Sequence, residues 1–113
     1  MKFWADENFR GDILRGILTI YPNLDIIRVQ DTPLIQMKDP DLLEEVAKAG
    51  AILLSHDIKT IPTHANNRVA QGKPMPGVVI IHQLMPLKQA IDGLSIMIGA
   101  GNESDFINQV QYL

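Results

Sequence analysis

The chain has 113 residues, no cysteine and a formal net charge of −3, with 46% hydrophobic and 20% charged residues. That length allows one domain, residues 1–113, with a modest core, and no apolar run approaches the ~20 residues of a spanning helix, so no membrane partner is expected. The lack of cysteine excludes disulfides and thiolate metal sites and fits a reducing cytoplasm, and the negative charge argues against nucleic-acid binding by backbone electrostatics alone.

The first element is Met1–Asn8, MKFWADEN. Phe3, Trp4 and Ala5 are a short apolar run that stops on Asp6, Glu7 and Asn8, which reads as a buried strand ending in two carboxylates. No basic flank or small-residue cleavage pattern of a secretory leader is present there. Phe9, Ile13, Leu14, Ile17, Leu18 and Tyr21 then recur at helical spacing, with Asn8 as the natural N-cap, Gly11 and Gly16 weakening the helix, and Tyr21-Pro22-Asn23 ending it. Asp25–Gln30 is a second short strand, and Asp31–Lys38 a loop.

Asp39-Pro40-Asp41 opens another helix, with Asp39 as cap, Pro40 in the first turn and Gly50 as the stop. Ala51–His56 is the third strand and ends on Asp57. Thr60–Gln71 is weakly helical, and His64 and Arg68, four apart, share one of its polar faces. After a turn-rich loop, Val78–His82 is a strand and Pro86–Ile98 a helix broken by Gly99 and Gly101. The tail Asn108–Leu113 alternates as an edge strand does.

Strands alternating with helices imply a three-layer α/β/α fold around a mostly parallel sheet, and right-handed crossovers favour the order 2-1-3-4 with the tail strand fifth. The order reverses between the first and third strands, so Asp6 and Asp57 are expected to flank the crevice where α/β sheets bind ligands. Carboxylates a few ångströms apart repel one another, and a hard cation such as Mg²⁺ or Mn²⁺ removes that repulsion. Glu7, Asp39 or Asp41 are candidates to complete the acidic set, Asp39 and Asp41 only if the preceding loop folds over the sheet edge. Asp39 is equally well a plain N-cap, Asp41 a complement to the helix dipole, and Asp57 a turn residue. His64, Arg68 and Asn8 are candidate substrate contacts, with a solvated helix face as the alternative for His64 and Arg68. His56 and His82 read as structural, since the histidines lack zinc-ligand spacing.

Lys2–Asn8 as KFWADEN, Asp39-Pro40-Asp41-Leu42-Leu43, and Ile52–Asp57 as ILLSHD resemble the small bacterial PIN-like family, and Thr60…His64…Arg68…Gly72…Met75-Pro76-Gly77-Val78 is similar to one branch of it. The resemblance covers nearly the whole chain. It implies a PIN-type fold and a Mg²⁺- or Mn²⁺-dependent ribonuclease, the toxin of a toxin–antitoxin pair, with RNA as substrate, an antitoxin protein as partner and pairing with a second copy. Carried over by position, Asp6 and Asp57 match the first and last metal-binding acids, and Asp39 or Asp41 the middle one. The chain departs from the family pattern at Lys59, where many relatives carry a further acid. Two other readings stand beside this one. A non-catalytic binding protein keeps the fold without the chemistry. A phospho-accepting receiver domain shares the acidic layout, but it needs a hydroxyl after the fourth strand and a Lys after the fifth, and the chain has His82 and no Lys in its tail.

Overall fold

The computed structural model describes every residue from Met1 to Leu113. Strands β1 (Lys2–Ala5), β2 (Asp25–Arg28), β3 (Ile52–Ser55), β4 (Val78–Ile80) and β5 (Val110–Tyr112) alternate with helices α1 (Gly11–Ile20), α2 (Asp39–Ala49), α3 (Thr60–Ala70) and α4 (Leu87–Ala100). The sheet has the order β2-β1-β3-β4-β5, and every neighbouring pair is parallel. This is the order expected from the crossover rule. No helix is long and apolar enough to cross a membrane.

Strand residues alternate between the two faces of a sheet, and that alternation separates two cores. Phe3, Ala5, Ile52 and Leu54 face α1 and α4, packing with Ile13, Ile17 and Leu94. Leu53, Val78 and Ile80 face α2 and α3, packing with Leu42, Val46 and Ile61. Helices therefore cover both faces of the sheet.

Several boundaries differ from the sequence reading, each for a packing reason. Asn8 does not cap α1. The chain turns first, with Phe9 N–H donating to the Asp6 carbonyl at 3.0 Å, and the helix starts at Gly11 after Arg10. The turn carries Phe9 into the core beside α1 and stacks its ring on His56, with centroids 4.5 Å apart. Asp39 is not a cap either; it lies in the first turn of α2, behind Lys38. β2 stops at Arg28 because Val29–Asp31 coil into a 3₁₀ turn that buries Val29. Gly99 does not break α4, which runs on to Gly101. The missing side chain at Gly99 makes room for the Tyr21 hydroxyl, 2.6 Å from where a Cβ would stand, and that hydroxyl donates to the Ser95 carbonyl at 3.0 Å. Gly16 weakens α1 locally but admits Ile91 of α4, whose side chain would overlap any Cβ there.

Candidate functional site

Parallel strands finish at one edge, so β1 and β3, adjacent in the sheet, deliver their following residues side by side. Ala5 is paired with Leu54, and the Asp6 N–H continues the ladder by donating to the Leu54 carbonyl at 2.9 Å. Asp6 thereby comes opposite Ser55, the last residue of β3. The Ser55 hydroxyl is buried; it donates to Asp6 Oδ2 at 2.9 Å and accepts from the Asp57 N–H at 3.0 Å. A backbone N–H from Glu7 holds the other Asp6 oxygen at 2.8 Å.

The third carboxylate arrives from further away. Glu7 Oε2 accepts the Gln36 N–H at 3.0 Å, and Gln36 takes a left-handed φ of 66°. This tether folds the 32–38 loop over the sheet edge and swings the start of α2 toward it. Asp39 then meets Thr60 at the start of α3, with Oγ1 2.6 Å from Asp39 Oδ2 and also hydrogen-bonded to Asp57 Oδ2. A hydroxyl has a single proton to give, so two carboxylate oxygens share it. Asp6, Asp39 and Asp57 line one cavity of about 280 Å³, together with Glu7, Asn8 and Ser55.

Electrostatics follows from this crowding. Burial pushes the Asp6 carboxyl above its ordinary 3.8, against the pull of the Glu7 N–H and the Ser55 hydroxyl, and the Asp39 and Asp57 charges push the same way. Asp57 moves the other way: burial opposes ionisation but is outweighed by the Thr60 hydroxyl and the N–H groups of Lys59, Thr60 and Ile61. Asp57 thus has two jobs. Its Oδ1 accepts from the Lys59 N–H at 2.8 Å and the Thr60 N–H at 2.9 Å, building the turn into α3, while its Oδ2 faces Thr60 Oγ1.

A stability test follows. Asp6 binds its proton more tightly folded than unfolded, so its contribution falls as pH rises from 3.8 through the raised value. The Asp57 contribution has the opposite sign: it is present above 3.8 and lost as pH falls through the lowered value. Without added metal, Asp6→Asn is therefore expected to melt a few degrees above wild type at pH 7 and to lose part of the decline above 3.8. Thermal denaturation across pH checks this, and a variant melting below wild type at pH 7 contradicts the assigned cause.

The other expected site residues divide. Asn8 lines the cavity and is exposed there. Asp41 does not; it is exposed on the first turn of α2, where its charge complements the helix amino end. His64, half-buried midway along α3, also stays outside the cavity. Arg68 corrects the expectation of a phosphate contact. It is only 8% exposed, its Nε and Nη2 donate to the Pro74 carbonyl at 3.0 and 2.8 Å, and Nη1 pairs with Glu44 at 3.2 Å. α3 leaves the carboxyl edge at Thr60 and crosses back, which puts Arg68 at the opposite end of the sheet. Arg68→Ala is expected to cost about 1–3 kcal/mol in stability, because the Pro74 carbonyl loses its donors. Denaturant unfolding reads that loss.

Ser55 and Thr60 enter the sequence reading only as members of motifs, with no role of their own. Their signal is the spacing Ser55-x-Asp57-x-x-Thr60, a short side chain two residues before the acid and a hydroxyl one helical turn after it. His56 is structural, as expected. Its Nδ1 donates to the Ile81 carbonyl at 2.7 Å and its Nε2 accepts from the Arg10 N–H at 3.0 Å, which fixes the tautomer and uses both nitrogens.

In this side-chain arrangement no group of three His, Cys, Asp or Glu residues is gathered closely enough to hold a metal as a set. The donor chemistry nevertheless suits one class of ion. Four carboxylates, those of Asp6, Glu7, Asp39 and Asp57, line the cavity, no Lys or Arg pairs with any of them, and the hydroxyl of Thr60 supplies one proton between two. An all-oxygen, negatively charged set of this kind prefers hard divalent cations. Compared with family models, curated proteins and solved structures, the chain matches none of them.

Proposed function

We propose that the protein is a divalent-metal-dependent ribonuclease of the PIN-like type, with Asp6, Asp39 and Asp57 as the residues that hold Mg²⁺ or Mn²⁺. The observation that carries this reading is that Asp6 and Glu7 after β1, Asp39 of α2 and Asp57 after β3 line one cavity at the carboxyl edge with no basic partner. Held by these carboxylates, a hard cation would offset their charge and supply Lewis acidity toward a phosphodiester. The chain's own groups do the rest. Ser55 fixes the rotamer of Asp6, Thr60 links Asp39 to Asp57, and Glu7 keeps the loop that delivers Asp39 in place. Asn8 stands at the rim as a neutral donor toward the substrate.

The resemblance of KFWADEN, DPDLL and ILLSHD to the PIN-like family supports the same assignment, and with it the role of a toxin whose partner is an antitoxin protein. A labelled RNA incubated with the protein and Mn²⁺ tests the activity. Cleavage is expected from wild type and about 10²–10³-fold less from Asp57→Asn. Equal cleavage by the two overturns the assignment, whereas a wild type that binds RNA without cutting it in Mn²⁺ leaves a non-catalytic binding protein.

A further inference from the structure

The acidic cavity does not end at its carboxylates. His56 and Gln83 line it and also line a neighbouring groove of about 410 Å³, walled by Ile58, His82 and Leu84. Ile58 is 56% exposed and Leu84 82%, although each is a large aliphatic side chain. Between them His82 accepts the Leu84 N–H on Nδ1 at 3.1 Å, so its ring proton is on Nε2, which has no partner in the chain. The Gln83 side-chain amide is likewise free, since only its backbone carbonyl is engaged.

This wall is held in place. Arg10 Nη1 donates to the Gln83 carbonyl at 3.1 Å and to the Met85 carbonyl at 2.6 Å, while Asp12 grips the rest of the guanidinium. His56 ties the end of β3 to Ile81, just before the loop. The groove is therefore preformed and opens directly onto the acidic cavity.

We infer that this groove receives the nucleobase next to the scissile phosphate. The inference rests on the ribonuclease reading above. An unstacked base has a flat apolar face and an edge of donors and acceptors, and the groove offers aliphatic surface beside a free imidazole N–H and a free amide. Bases inside a duplex are stacked and paired, so neither face nor edge can enter.

The test uses the intact protein and a fluorescent single-stranded oligoadenylate of about twelve nucleotides. Binding is followed by anisotropy in EDTA, and cleavage of the same oligomer in Mn²⁺. Ile58→Ser with Leu84→Ser alters two exposed positions, and circular dichroism verifies the fold. The double variant is expected to bind about tenfold more weakly and to raise KM by a similar factor, with kcat moved less than about twofold. The fully paired duplex should bind wild type less well than the single strand. Unchanged single-strand affinity in the double variant, or equal affinity for the duplex, overturns the inference. Cleavage with an unaltered KM in the double variant also overturns the groove and leaves the catalytic reading standing. Groove-dependent binding without cleavage supports the groove and removes the catalytic reading.

Discussion

Asp57→Asn is expected to lower Mn²⁺-dependent RNA cleavage by about 10²–10³-fold while the protein stays folded, the scale of losing one charged contact to the transition state. The substitution separates the two jobs of Asp57. Asparagine keeps an oxygen for the Lys59 and Thr60 N–H groups, so the turn into α3 survives. It removes the charge on the oxygen that faces Thr60, leaving that hydroxyl free to donate to Asp39 alone. Asp39→Asn should act in the same direction. Asp41→Asn is the control: it removes an acid from the same helical turn, but one that is exposed and outside the cavity, so cleavage should be unchanged. A gel of end-labelled RNA reads all three. Undiminished cleavage by Asp57→Asn would show that the acidic cavity is not the reacting centre.

Gly77→Ala is expected to be the most damaging conservative change outside the site, at about 3 kcal/mol or more. Gly77 precedes β4 with φ 144°, a conformation that side chains avoid. A Cβ would stand 2.7 Å from Phe106 Cβ and 2.8 Å from the Phe106 carbonyl oxygen. The backbone cannot retreat easily, because the Gly77 carbonyl accepts the Leu53 N–H at 3.0 Å in the central ladder. Phe106 is also fixed, buried with its ring edge-on to Phe3 at 6.5 Å. A fall in melting temperature of roughly 10 °C is the readout for a domain of this size. A shift of only a degree or two would show that β4 and the 106–109 turn can separate without penalty.

These two sites differ in how visible they are along the chain. Asp6 and Asp57 stand out because each ends a short apolar run, and strand ends of a parallel sheet collect at one edge whatever the loop details. Ser55 and Thr60 do not stand out, because a hydroxyl beside an acid is an ordinary turn composition until its partner is known. Arg68 looked available because a polar face on a weak helix reads as solvated. It is buried because the 72–76 loop passes close enough to place the Pro74 carbonyl against it. Asn8 looked like a cap because nothing local announces that Phe9 must turn inward to stack on His56, a residue 47 positions away.

Hydrophobic period and breaker residues were enough by themselves for the element order, the parallel sheet and its strand order. They act over a few residues, and crossover handedness leaves few alternatives. Whether Asp39 or Asp41 joins Asp6 and Asp57 was a matter for tertiary structure alone. Asp39 reaches Thr60 only because Glu7 catches the Gln36 backbone and bends the 32–38 loop over the sheet edge. A contact between residues 29 apart leaves no periodic trace in either segment. The closing groove beside His56 and Gln83 has the same origin, since it exists only once Arg10 clamps the loop after β4 against the start of α1.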